Sequence, residues 1–141
     1  MAGLIAILAL GLSATPPALQ APAAVDWDLA VATFAANRGD GSKPPMGKGG
    51  ARCAAYWTTH AGALTRKALP PEAIAKFDPE LTSSDEAGMN AMVFSQLTRS
   101  ERDYVKGKEE AAAVLAKLLT GDRASLVSYF KQLGVCSMGA G

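Results

Sequence analysis

The segment from Ala51 to Ala68, ARCAAYWTTHAGALTRKA, constrains the fold of this chain more than any other. It holds one of the two cysteines, one of the two tryptophans and the only histidine. Its apolar stripe at helical spacing comprises Cys53, Trp57, His60, Leu64 and Ala68. Its opposite face comprises Ala55, Thr59, Gly62 and Arg66. This periodicity predicts an amphipathic helix over residues 51–68, with the first face buried and the second in water.

The amino-terminal 25 residues carry no charge and contain a nine-residue apolar run, Leu4–Leu12. Small residues around Pro22 fit a signal-peptidase site, so we expect a signal peptide over 1–23 with cleavage near Ala23 or Ala24. No Lys or Arg precedes the apolar run, which departs from the usual pattern, and an uncleaved anchor or an ordinary buried helix is the alternative. The expected address is the periplasm or the extracellular space.

Cys53 and Cys136 are the only cysteines of the chain. An even number of cysteines in an oxidising compartment favours a disulfide, which would close a loop of more than eighty residues. Such a loop contributes about 4–5 kcal/mol in the chain-entropy model. Two separate buried thiols are the alternative.

Residues 24–141 predict one helical domain. Asp26 or Asp28 can cap a first helix, whose apolar stripe is Trp27, Ala30, Val31 and Phe34. Residues 39–50, GDGSKPPMGKGG, predict a solvated loop because glycine and proline interrupt regular structure. After the helix over 51–68, a short helix is expected from Pro71 to about Phe77.

The second half of the domain predicts three further helices. Ser83 with Glu86 forms a capping box before the stripe Met89, Met92, Val93 and Leu97. A second box, Thr98 with Glu101, precedes the stripe Ala111, Val114, Leu115 and Leu118, which Gly121 ends. Asp122 can cap the last helix, with the stripe Leu126, Val127, Phe130 and Leu133 before Gly134.

No segment alternates apolar and polar residues as a strand does. The fold class is therefore all-α, a small single-domain bundle of five or six short helices. Antiparallel packing of the central and last helices would place Cys53 beside Cys136, so the bundle and the disulfide support each other.

His60 is the one candidate cofactor ligand, because it lies on the apolar stripe beside Trp57. A haem or Cu(I) bound by His60 and methionine is chemically possible, and the available methionines are Met46, Met89, Met92 and Met138. A core histidine hydrogen-bonded to backbone is the competing interpretation. A single histidine without partners completes no zinc site, so no metal or cofactor is predicted.

No catalytic residue is predicted. The chain has no CxxC pair and no GxSxG elbow, and the carboxylates of Asp85-Glu86 and Glu109-Glu110 are adjacent and so point apart on a helix. An envelope hydrolase whose site assembles from scattered residues is the remaining enzymatic alternative.

Charge separates along the chain although the net charge is only +1. Residues 38–67 are basic, and residues 72–86 are acidic. The basic segment could contact an acidic partner through Lys43, Lys48 and Arg52, or the two segments could attract each other within the fold. No aromatic residues alternate with the cations, so nucleic acid is not an expected partner. We therefore expect an exported protein that acts by binding or interaction, with an unknown protein or envelope partner.

Overall fold

Seven α-helices form in the described part of the chain, residues 24–39, 42–98 and 100–138 of a computed structural model. They are α1 (Trp27–Asn37), α2 (Lys48–Thr65), α3 (Pro71–Lys76), α4 (Pro79–Thr82), α5 (Ser84–Gln96), α6 (Glu101–Leu119) and α7 (Arg123–Val135). No strand occurs in these three ranges, which confirms the all-α prediction. The helix beyond the expected five or six is α4, a single turn begun by Pro79. The predicted signal peptide, residues 1–23, lies outside the described residues.

Side-chain caps set where several helices begin. Asp26 accepts the backbone N–H of Leu29 at the start of α1, and Asp122 accepts that of Ser125 at the start of α7. Ser83 does the same for Glu86 in α5. The second capping box is shifted from its predicted position, because Ser100, not Thr98, is the N-cap of α6.

Helix α2 is the centre of the bundle and packs against α5, α6 and α7. It runs antiparallel to α7, because Cys53 at its start meets Cys136 while His60 meets Phe130, one to two turns earlier in α7. The sulfur atoms of Cys53 and Cys136 lie 1.99 Å apart, at disulfide distance. Trp57 donates its indole N–H to the Cys136 carbonyl at 2.7 Å, which fastens the same end of the pair.

The face of α2 that was expected to be wet is partly buried. Ala55 is fully buried, because α6 crosses α2 closely at Gly107. A Cβ atom at position 107 would lie 2.9 Å from the Cβ of Ala55 and 3.4 Å from the Cα of Arg52. Helix α2 also runs over 48–65 and not 51–68, so it takes in the last two glycines of the expected loop.

The apolar stripe predicted for α5 is wrong at Met89 and Met92, although its last residue, Leu97, packs against the core. Met89 and Met92 are 59% and 53% exposed, whereas the buried residues of α5 are Ala87, Ala91 and Phe94. The small alanines let α5 approach α2 closely, and this packing turns the larger methionines outward. The larger apolar side chains of α5 therefore do not mark its buried face.

A buried carboxylate connects several elements near the carboxyl end of α1. The Arg38 guanidinium lies 2.8 Å from Glu80 and 3.4 Å from Asp78. Glu80 also accepts hydrogen bonds from Asn90 at 3.2 Å and from Ser137 at 2.8 Å. Arg38 belongs to the basic segment and both acids to the acidic one, so the two segments do attract each other at this point.

Gly107→Ala should destabilise the protein by about 1–3 kcal/mol, because the added methyl group forces α2 and α6 apart. Denaturation in urea measures this loss. The matched control is Gly88→Ala, where a Cβ meets nothing within 4 Å and helix propensity alone should give a gain of about 0.5–1 kcal/mol. Equal stability of the two variants would contradict the close crossing.

Candidate functional site

His60 lies in the core and uses both ring nitrogens. Its Nε2 lies 2.9 Å from the carbonyl oxygen of Leu81, and its Nδ1 lies 3.1 Å from the hydroxyl of Tyr129. A carbonyl only accepts, so Nε2 carries the proton and Nδ1 accepts from Tyr129. Burial of the fully enclosed ring lowers the pKa of His60 to about 4, so the imidazole is neutral at pH 7.

Aromatic rings enclose His60 on several sides. Its ring centroid lies 5.9 Å from those of Trp57 and Tyr129 and 6.4 Å from that of Phe130. Tyr129 in turn contacts the ring of Tyr56 at 5.6 Å. Burial raises the pKa of Tyr129 and raises that of Tyr56 to about 12, so both hydroxyls stay protonated. The cluster is therefore a neutral, hydrogen-bonded part of the core.

Both ring nitrogens of His60 have hydrogen-bond partners, and three of the four methionines of the haem or copper hypothesis lie at the surface. Met46, Met89 and Met92 are more than half exposed, whereas His60 is fully buried. Met138 packs against the core at the end of the described chain. Among the described residues, no group of three or more His, Cys, Asp or Glu side chains is placed to hold a metal ion.

The three cations of the partner hypothesis have different surroundings. Arg52 forms an ion pair with Glu110, whose carboxylate also accepts from Tyr56 at 3.0 Å. Lys43 and Lys48 are exposed and form no ion pair with any described residue. The carboxylate pair Asp85-Glu86 occupies the first turn of α5, where negative charge stabilises the helix dipole.

A groove of about 760 Å³ lies where the end of α2 meets α3 and the start of α5. Seven of its ten lining residues have aliphatic side chains, and polar atoms are exposed between them; the ten are Leu64, Lys67, Ala68, Leu69, Pro70, Pro71, Ile74, Ala75, Thr82 and Ser84. Lys67 is the one charged residue among these ten. The groove therefore combines an apolar wall with a single cation and two hydroxyl groups.

Lys67 has a left-handed backbone conformation, with φ of +55°. It is the C′ residue of a Schellman motif, in which Ala68 N–H bonds to the Ala63 carbonyl and Lys67 N–H to that of Leu64. Glycine usually fills this position because a side chain is strained there. Gly121 fills the matching position after α6, with φ of +95°.

The sequence did not indicate this groove. The double proline after α2 predicts where that helix ends, but the groove arises only when α3 folds back beside the start of α5. In the sequence, Lys67 is one of the cations of the basic segment over residues 38–67. Its one local signal is a lysine at a helix terminus where glycine is usual.

None of the described helices is long and apolar enough to cross a membrane. Comparison with known proteins assigns no family: no family model matches the chain, and no curated protein and no solved structure is similar to it.

Proposed function

We propose that this protein is exported and acts by binding, and that the groove beside Lys67 takes a ligand with an apolar chain and a carboxylate. The groove volume of about 760 Å³ falls within the range of about 300–1,000 Å³ that small-molecule sites occupy. The apolar wall and the single cation are the observation that carries the proposal.

The chemistry of the groove accounts for both halves of such a ligand. Leu64, Ala68 and Ile74 are partly exposed and offer aliphatic surface, on which each buried methylene of a ligand gains about 0.8 kcal/mol. The ammonium of Lys67 can pair with a carboxylate at the edge of the groove. Among the described residues that line the groove, only Lys67 is charged. The groove should therefore attract anionic and not cationic groups.

The strained backbone of Lys67 supports the same site. A side chain in the left-handed region costs about 1 kcal/mol relative to glycine, and such strain is concentrated at binding and catalytic sites. The same motif after α6 has the unstrained residue, Gly121, at this position. A lysine held at position 67 despite that cost is consistent with a role for its charge.

Lys67→Gly should raise the free energy of unfolding by about 0.5–1 kcal/mol and weaken decanoate binding about fivefold, because it removes both strain and cation. Calorimetry gives the affinity, and urea denaturation gives the stability. Gly121→Lys should lower the free energy of unfolding by a similar amount and leave the affinity for decanoate unchanged. Lys48→Ala, which removes a cation from the other end of α2, should also leave binding unchanged.

The sign of the ligand charge provides a second control. Decylammonium has the same chain length as decanoate. It should bind more weakly, because its positive charge is repelled by the ammonium of Lys67. Equal affinity for both probes, or unaltered decanoate affinity in Lys67→Gly, would contradict the proposed site.

Export is tested by the mass of the protein recovered outside the cytoplasm. The apolar start of the chain and the cysteine pair at disulfide distance support export. We expect a mass that lacks residues 1–23 and that rises by about two hydrogens on reduction. A mass that retains those residues would contradict cleavage of the leader.

A further inference from the structure

Three of the four methionines in the described ranges have exposed side chains. Met46, Met89 and Met92 are 65%, 59% and 53% exposed, although methionine is among the residues most often buried in folded proteins. The fourth, Met138, is partly buried and packs against the core. Small molecules in solution therefore have direct access to three thioether groups.

The other side chains that oxidants attack are better protected. Both tryptophans, the only histidine and both cysteines of the chain are buried, and the two cysteine sulfur atoms lie at disulfide distance from each other. Two of the three tyrosines are fully buried, and the third, Tyr104, is half-buried with its hydroxyl bonded to Thr58. Among the described residues, an oxidant in solution therefore meets the three exposed methionines first.

We propose that Met46, Met89 and Met92 are sites of two-electron oxidation, at which a peroxide converts each thioether to a sulfoxide while the protein stays folded. The sulfur attacks one peroxide oxygen and forms the S–O bond as the O–O bond breaks. The proton of the attacked oxygen passes to the departing oxygen, which leaves as water or, from an organic peroxide, as an alcohol. Each thioether loses two electrons and one peroxide gains them. Methionine sulfoxide reductases reverse this modification.

The positions of the methionines explain why the fold should tolerate this reaction at three of them. A sulfoxide is polar and disrupts a core in which it forms. Neither Met89 nor Met92 is among the buried residues of α5, and Met46 is the most exposed of the three. The added oxygen at each of these positions points into water. The same oxygen on Met138 would lie against apolar side chains of the core, where an unpaired polar group is costly.

Peptide mapping of the full chain during treatment with hydrogen peroxide tests the proposal. We expect the three exposed methionines to gain one oxygen each at similar rates, and Met138 to react at least about threefold more slowly. Protein oxidised at the three exposed positions should keep the circular dichroism spectrum and the urea midpoint of the untreated protein. Reaction of Met138 as fast as the other three, or unfolding when those three are oxidised, would overturn the proposal.

Oxidation of the unfolded chain provides the matched comparison, because urea makes every methionine accessible to peroxide. Protein oxidised in urea and then refolded should have a lower urea midpoint than protein oxidised in the folded state. Met138→Leu, oxidised in urea in the same way, should recover the midpoint of the protein oxidised while folded, because the sulfoxide that packs against the core is then absent. Identical midpoints of the two wild-type samples would contradict the distinction between exposed and packed methionines.

The oxidation sites are separate from the groove beside Lys67. None of the ten described residues that line the groove is a methionine. Protein oxidised in the folded state should therefore bind decanoate with unchanged affinity. Oxidation and decanoate binding are measured independently, so the failure of one leaves the other standing.

Discussion

Replacing both Cys53 and Cys136 with alanine should lower the free energy of unfolding by about 4–5 kcal/mol. The two residues are 83 positions apart, so their bond removes a large loop-closure entropy from the unfolded chain. Both side chains are fully buried, and alanine avoids placing a polar group there. Small domains have only about 5–15 kcal/mol of stability, so the variant should unfold at far lower urea concentration.

Reduction of the wild-type protein provides the matched comparison. Wild-type protein in excess reductant should unfold at nearly the same urea concentration as the double alanine variant. The Trp57 bond to the Cys136 carbonyl should persist in both, because it depends on backbone position and not on sulfur. A loss below about 1 kcal/mol in both samples would mean that the bond adds little to the packing of α2 against α7.

Acidification from pH 6.5 to pH 4 should remove about 3 kcal/mol of stability through His60 alone. The folded protein holds this imidazole at a pKa of about 4, while the unfolded chain binds the proton at about 6.5. Between these values the unfolded state binds more protons, so stability rises with pH across this window. The contribution is complete above the unfolded pKa and lost as the pH falls towards the folded value.

His60→Gln isolates the contribution of this one imidazole to the pH dependence of stability. Urea denaturation at several pH values should show a steeper pH dependence for the wild-type protein than for the variant. The difference between the two curves should grow from pH 6.5 to pH 4 and then level off. Parallel curves would show that the pKa of His60 is the same in the folded and unfolded states, as expected of an imidazole in contact with solvent.

Local signals in the sequence were sufficient for much of the fold. Asp26, Ser83 and Asp122 precede apolar stripes and do cap α1, α5 and α7. Gly121 ends α6 as expected. The pairing of Cys53 with Cys136 also followed, because only two cysteines exist and antiparallel packing brings their helix ends together.

Features that depend on how helices pack were not predictable in the same way. Ala55 is buried only because Gly107 of α6 permits a close crossing. The exposure of Met89 follows from the small size of Ala87 and Ala91 on the neighbouring face. Sequence pattern alone could not place these contacts, since it reports the polarity of a residue and not the partner that covers it.

His60 could be interpreted as a haem or copper ligand or as a core histidine. The partners of its ring nitrogens decide between the two, and a single sequence does not reveal them. The hydroxyl of Tyr129 is 69 residues away in the chain, and Leu81 offers a backbone carbonyl. Neither carries a sequence signal that points to His60. The groove beside Lys67 was not predictable for the same reason, because its walls come from several separate elements.

The most direct test of the central claim is a map of amide chemical shifts during titration with decanoate. We expect saturable shifts in residues 64–69 and 72–75 together with Thr82 and Ser84, in the segments that form the groove. The exposed face of α5 around Met89 should remain unchanged. Absence of saturable shifts, or shifts confined to that face, would contradict binding of an apolar carboxylate in the groove.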